Sequence, residues 1–381
     1  MHGVELRYQP ERTRTYLGSP SIVRAPDGAL VASHDYYGAG CPRNHEREEA
    51  LLSLYRSEDD GRTWLPVTHL MNAYWSTLFT HRGALYLLGV SQQYGSIVIR
   101  RSLDSGFTWT HPADEHSGLL RRGGFYHDNP NYHGAPVPIL IHRGRLYRAF
   151  EDCDRAVWGR GFRSLVLSVP EDADLLEAGH WTQSNAVALD PAWLPPSWPA
   201  LENPGWLEGN VLTDPQGRLW NILRVHSRPL VDRAAMLRVE DDGRRLAFDP
   251  ADGFIDFPGG MTKFTIRRDP STGLYLTLCN PHTDPAAPAQ RNILALAASA
   301  DLRSWRVVRR LIEDDSGLPW ELSVRLTGFQ YVDWQFDGDD LIYLVRTAHR
   351  GARNYHDANR IVFHRLPRFR TDLPSLAGNG Q

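Results

Sequence analysis

The amino-acid sequence predicts an all-β fold, a single β-propeller of four-stranded blades, and two observations predict it. The first is a degenerate repeat: an apolar strand, a short turn containing glycine, then a second apolar strand. The turn glycines are Gly28, Gly83, Gly144, Gly217, Gly273 and Gly338, spaced 55, 61, 73, 56 and 65 residues apart. The second is a loop pattern, Ser-x-Asp-x-Gly-x-Thr-Trp, at Ser57–Trp64 and Ser102–Trp109, with a looser relative at Ser299–Trp305. Its logic is a tight turn: Ser and Asp side chains cap backbone N–H groups, Gly takes a positive φ, and Trp packs beneath.

Each hairpin continues into further strands. In the first unit these are Leu30–Asp35, Ala50–Arg56 and Trp64–His69. In the second they are Leu85–Val90, Ser96–Arg101 and a strand from Thr108. The third adds Ser164–Ser168 and Trp181–Leu189, the fourth Ala234–Val239 and Arg245–Phe248, the fifth Ile293–Ser299 and Trp305–Ile312. The sixth offers only Asn359–Leu366, so Val4–Tyr8 from the N-terminus is expected to supply its outer strand and remove the open edge. This makes six blades; seven would need a repeat hidden in 110–133 or 182–206, which are rich in Gly, Pro, Asn and His and read as loops. One domain spans 1–381, with 366–381 as a C-terminal tail.

Hydrophobic content of 41% and charged content of 23% are those of a soluble globular protein. A net charge of -3 speaks against nucleic acid or an anionic membrane as partner. The 12 Trp, 15 Tyr and 13 Phe suit both strand packing and contact with the apolar face of a pyranose. Three sparse cysteines, Cys41, Cys153 and Cys279, make neither a disulfide framework nor a metal set. The N-terminus shows no leader and no run approaches a membrane span, so the expectation is a cytoplasmic chain, or a secreted one whose signal was removed.

In such a meander, the start of the innermost strand and the end of the second lie on one face of the ring. Second strands end in His34-Asp35, Ser91–Tyr94, Arg148–Asp152, Arg224–His226, Asn280–His282 and Arg346–His349. Innermost strands start near Trp75, Tyr132-His133, Glu208, Lys263 and Tyr331. Arginine, lysine, histidine and tyrosine thus gather on one face, which predicts an anionic ligand.

Gly18-Ser-Pro-Ser-Ile, Val31-Ala-Ser-His-Asp35, Tyr132-His-Gly-Ala-Pro-Val-Pro138, Trp206-Leu-Glu-Gly-Asn210, Lys263-Phe-Thr-Ile and Gly328-Phe-Gln-Tyr-Val-Asp-Trp334 resemble a branch of the sialidase-superfamily propellers. That branch holds rhamnose–glucuronate enzymes acting on plant gum side chains and, more distantly, propeller ulvan lyases; the loop pattern above resembles the Asp-box of the superfamily. The resemblance spans nearly the whole chain. True sialidases match less well: they use an arginine triad, a Tyr–Glu nucleophile pair and an Asp acid/base. Their first arginine stands where this chain reads Tyr16-Leu-Gly-Ser-Pro20, with Arg14 the nearest substitute.

Three functions follow. The first is a lyase cleaving a uronate-containing oligosaccharide, such as a rhamnosyl-glucuronate, by β-elimination. That reaction needs a neutralised carboxylate, a base for the C5 proton and an acid for the leaving oxygen. His34, Tyr132, His133 and Arg148 are the catalytic candidates, with Tyr132 and Arg148 expected to face one substrate. Trp75, Glu208, Arg224, His226, Lys263, Asn280, Tyr331 and Arg346 are the binding candidates. The second is an exo-acting glycoside hydrolase of the α-L-rhamnosidase or sialidase type, drawing on Glu151, Asp152, Glu208 or Asp35. The third is a glycan-binding propeller without catalysis. The expected partner is an anionic oligosaccharide, with no cofactor required, and with a channel metal and the state from monomer to small homo-oligomer left open.

Overall fold

The computed structural model describes residues 3–126, 128–153 and 157–373. Six antiparallel sheets surround one axis, each running outward from an innermost strand. Val4–Tyr8 pairs with Arg360–Leu366 as the outer strand of the last blade, as expected, so the chain closes its own ring.

Within each blade the apolar faces of the strands bury against the neighbouring blade. Tyr74, Leu88 and Ile99 of the second blade pack with Phe150, Leu165 and Leu167 of the third. Leu276, Leu278 and Leu296 of the fifth pack with Trp334, Leu341 and Val345 of the sixth. The innermost strands are also tied sideways by buried polar groups. Asp333 Oδ2 accepts from Ser21 Oγ at 2.8 Å and from the Ile22 N–H at 3.0 Å, which joins the last blade to the first. Ser21 Oγ in turn accepts from the Leu78 N–H at 3.0 Å. Asn210 accepts the Ile266 N–H at 3.0 Å and donates to Phe264 O at 3.2 Å. Each tie satisfies backbone groups that parallel innermost strands leave unpaired.

The two Ser-x-Asp-x-Gly-x-Thr-Trp turns are built alike. Ser57 Oγ donates to Asp59 and accepts the Gly61 N–H, both at 2.8 Å, while the Thr63 hydroxyl donates to Asp59 at 2.6 Å. Ser102, Asp104, Gly106 and Thr108 repeat this arrangement.

Some expectations shift. The outer strand of the second blade is Leu119–Arg121, not a strand from Thr108; after Trp109, whose indole donates to Gly106 O at 3.0 Å, the chain leaves the sheet at His111-Pro112, where proline has no N–H for the ladder. The third blade splits both ends of its meander, with Tyr132–His133 and Leu140–His142 on the inside and Thr182–Gln183 and Val187–Ala188 on the outside. The segments read as loops, 110–133 and 182–206, therefore carry short strands. Phe254–Asp256 adds a strand to the fourth blade, and Trp320–Leu326 is a short α-helix. The tail leaves its strand at Leu366 and turns once through Phe369–Asp372; residues 374–381 lie outside the described residues. Among the described residues no helix is long and apolar enough to cross a membrane.

Candidate active site

Three innermost strands carry the same irregularity near their start. Register shifts fall between Tyr74 and Thr77, between Leu207 and Asn210, and between Gln330 and Asp333. Inside each bulge sits one residue of positive φ: Trp75 at 44°, Glu208 at 61° and Tyr331 at 52°. A bulge re-aims one side chain, and positive φ in a large residue is strain that the surrounding structure must hold. Glu208 and Tyr331 are aimed at each other. Tyr331 Oη donates to Glu208 Oε1 at 2.9 Å, and Arg224 Nη1 donates to Glu208 Oε2 at 2.8 Å. Arg224 Nη1 also lies 3.3 Å from Tyr331 Oη.

Two further arginines surround the pair. Arg346 stacks over the Tyr331 ring at 4.7 Å and donates to Tyr37 Oη at 2.6 Å and His356 O at 2.8 Å. Arg291 donates to Gln330 Oε1 and lies over the Tyr355 ring at 5.2 Å. Arg224, Arg291 and Tyr331 line a cavity of about 300 Å³ together with Trp158, His226 and His356. The Nε atoms of Arg224, Arg291 and Arg346 are buried and bonded to no protein group. A larger cavity of about 1000 Å³ lies by Gly28, Asp60, Gly61 and Gly338, on the turn side of the ring and away from this cluster.

The electrostatics favour an anion. Burial works against the Glu208 carboxylate, but Arg224 and then His133 outweigh it and hold its pKa below the ordinary glutamate value. Burial raises the Tyr331 pKa and Glu208 raises it further, against the three arginines, so the phenol keeps its proton. Burial and then the charge of Arg224 press Arg291 down to about 10, which still leaves it charged at neutral pH. His226 falls to about 4 through burial and then Arg224, and His356 to about 4 through burial and then Arg346, so both are neutral. Of the three guanidinium groups gathered here, only Arg224 is bonded to a carboxylate, Glu208; Arg291 and Arg346 bond neutral groups.

His133 and Trp75 form the adjoining wall, with ring centroids 4.3 Å apart. His133 Nδ1 bonds Glu151 Oε2 at 2.7 Å, and Glu151 Oε1 accepts the Glu208 N–H at 2.7 Å.

The structure brings together Glu208, Arg224, Tyr331 and Arg346 among the expected residues, with Trp75, His133 and His226 beside them. It places others elsewhere. His34 points into its own blade, bonding Tyr55 Oη at 3.2 Å and the Asp35 carbonyl at 3.0 Å. Tyr132 and His133 are consecutive on a strand and face opposite ways, and Tyr132 is the one that packs into the apolar core between blades. Arg148 does not share a ligand with Tyr132, whose partner in register is Asp152. Its guanidinium is spent on Ala149 O and Ala135 O. Burial and then Asp152 raise the Tyr132 pKa, the reverse of a phenol primed by a nearby arginine. Lys263 donates to Thr265 Oγ1 at 2.6 Å and Val332 O at 2.7 Å, and Asn280 donates to Ile293 O at 2.8 Å and Phe329 O at 2.6 Å. Asp35 braces the Ser19 and Trp75 N–H groups at 2.8 and 2.9 Å, and Arg14 is exposed.

Arg291 is the member that sequence reasoning missed. It stands just before the third strand of its blade, and third strands start on the same face where second strands end. That position was a usable signal.

No protein-family model and no curated protein matches the chain. Solved structures do. An α-L-arabinanase of Penicillium chrysogenum aligns at 15% identity over 96% of this chain and 98% of that chain, with a TM-score of 0.58. A sialidase from a Hadza microbial source aligns at 13% identity over 96% of this chain and 68% of that chain, with a TM-score of 0.60. The Trypanosoma rangeli sialidase, solved with sialic acid, aligns at 16% identity over 92% of this chain and 54% of that chain, with a TM-score of 0.56. These likenesses establish a shared fold: the chain is a six-bladed propeller of the sialidase-like kind.

Proposed function

We propose that the protein is a glycoside hydrolase that removes a terminal sugar acid from a glycan. The observation that carries this is the cluster in which Tyr331 and Glu208 share a hydrogen bond of 2.9 Å while Arg224, Arg291 and Arg346 crowd around them. Three clustered cations suit a substrate carboxylate. A carboxylate beside the reacting carbon would repel a charged nucleophile at close range. A neutral tyrosine avoids that cost.

In this reading Tyr331 Oη attacks the anomeric carbon and its proton passes to Glu208 Oε1. The bond to the leaving group breaks with its electron pair on the leaving oxygen, which takes a proton. Water then attacks the anomeric carbon, the bond to Tyr331 Oη breaks, Glu208 returns its proton to the phenolate, the attacking water loses its extra proton to solvent, and two displacements retain configuration. The leaving oxygen takes its proton from solvent water in the open cleft. Names of structural neighbours lean the same way, since the solved relatives include an arabinanase and sialidases. The elimination reading is left with His133, because Tyr132 and Arg148 face away from the cluster.

The test is a panel of chromogenic glycosides: sialic acid and hexuronic acids, with neutral arabinofuranoside and rhamnoside as controls. Cleavage of an acidic glycoside that releases the free saturated sugar is expected. Cleavage of neutral sugars alone overturns the proposal, and an unsaturated uronate product transfers it to the lyase.

A further inference from the structure

A second cluster of chemistry-bearing side chains lies outside the arginine site. Asp314 and Asp315 follow the outer strand Arg306–Glu313 of the fifth blade, and His349 follows the second strand Asp340–Ala348 of the sixth. His349 is buried, with 4% of its surface exposed, and its Nε2 makes no hydrogen bond. That nitrogen is nonetheless aimed at two carboxylates, 2.9 Å from Asp315 Oδ1 and 3.6 Å from Asp314 Oδ1, without the alignment of an N–H donor. One donor atom from each of the three residues falls within 4.8 Å of the others.

The groups behind this cluster are arranged to orient it. Asp314 Oδ2 accepts from Ser316 Oγ at 2.8 Å, Ser323 Oγ at 2.5 Å and Thr327 Oγ1 at 3.1 Å, while Oδ1 accepts the Ser316 N–H at 3.0 Å and lies 3.6 Å from the imidazole. The His349 backbone is clamped by Asn359, which accepts its N–H at 3.2 Å and donates to its carbonyl at 3.0 Å. Outer partners of this kind fix the direction of metal ligands. Arg350 Nη2 lies 3.7 Å from the same Asp315 oxygen, on the outer side of the cluster.

We propose that Asp314, Asp315 and His349 form a binding site for one divalent transition-metal ion. One imidazole nitrogen with two carboxylate oxygens suits Zn²⁺ or Mn²⁺, whereas Ca²⁺ takes six or more oxygens, roughly twice what these residues offer. The ion joins the segment after the fifth blade to the second strand of the sixth. That segment leads through Thr327 to Phe329, whose N–H donates to Arg291 O at 2.8 Å. The site therefore steadies the backbone that carries Arg291, and it stands whether or not the sugar-acid reading does.

The full chain, stripped with a chelator and dialysed, is titrated separately with Zn²⁺, Mn²⁺ and Ca²⁺, with bound metal counted by mass spectrometry. One Zn²⁺ or Mn²⁺ per chain is expected. Asp315→Asn is the folding-safe variant, since Asp315 is half exposed, and His349→Gln the more severe one. Each is expected to weaken binding by about tenfold or more. Absence of a stoichiometric ion overturns the proposal, as does Asp315→Asn binding as tightly as the parent, which marks adventitious surface binding. Tighter binding of Ca²⁺ than of either transition metal overturns the assignment of the ion.

Discussion

Glu151 accepts the backbone N–H of Glu208 at 2.7 Å across the junction between the third and fourth blades. Its other oxygen holds His133 Nδ1, also at 2.7 Å. Glu151 is fully buried, so both bonds are made without competing water. The carboxylate thus fixes the bulge in which Glu208 stands at a φ of 61° and orients the neighbouring imidazole. Glu151→Ala leaves both donors unpaired. We expect a loss of about 3–5 kcal/mol in unfolding free energy, the range for breaking a buried charged pair, read by urea denaturation. Glu151→Gln keeps one acceptor for the Glu208 N–H and is expected to lose less. Equal stability of the Ala variant and the parent would remove Glu151 from this role.

Glu208→Gln removes the proton acceptor of Tyr331 while keeping its shape. Turnover of an acidic glycoside is expected to fall by about 10² to 10⁴-fold, the usual weight of a general base. Tyr331→Phe deletes the hydroxyl that attacks and is expected to be at least as damaging. Both proteins should retain ligand binding, measured by calorimetry with a non-hydrolysed sugar acid. A fully active Tyr331→Phe protein would rule out tyrosine as nucleophile.

Arg291→Ala removes one cation and leaves Arg224 and Arg346 in place. A charged hydrogen bond contributes about 1.5–3 kcal/mol, so KM should rise roughly 10- to 100-fold, with a smaller change in kcat if the contact is alike in ground and transition states. Steady-state kinetics at saturating substrate separate the two constants. An unchanged KM would place the substrate carboxylate elsewhere.

Lys263 is buried, and burial presses its pKa from 10.5 to about 8. The native protein therefore holds this proton less tightly than the unfolded chain. Below about pH 8 both states are protonated and the full penalty applies. Between about 8 and 10.5 the unfolded chain binds more protons, so this group raises stability as pH rises. Lys263→Met abolishes that term, which is on the order of 3 kcal/mol. Thr265 Oγ1 already donates to Val332 O at 2.9 Å, so neither group is orphaned by the change. The advantage of the variant over the parent, from urea midpoints, should be largest near neutral pH and shrink toward pH 10.5. An advantage independent of pH would contradict it.

Much of the site was legible from position alone. Innermost-strand starts and second-strand ends share one face of any such meander, and that rule found Glu208, Tyr331, Arg224 and Arg346. Extending it to third-strand starts would have found Arg291. It could not say which way each side chain points. Strand alternation sends Tyr132 into the core and leaves His133 by the cleft, while one bulged residue reverses that phase at Trp75, Glu208 and Tyr331. His34 and Arg148 sit at the expected strand ends, but their side chains meet Tyr55 and backbone carbonyls.

The repeat, the number of blades and closure of the ring by Val4–Tyr8 were readable in the chain before any coordinates. These rest on local patterns: apolar strands at a regular interval, glycines where φ must be positive, and an unpaired last blade that needs a partner. It takes the folded ring to show that Tyr331 meets Glu208, 123 residues away, and that Arg224, Arg291 and Arg346 gather around the pair. The reason is physical. Those contacts join different blades, and their geometry depends on how tightly the ring closes and where each bulge turns a side chain, neither of which is a local property of the chain.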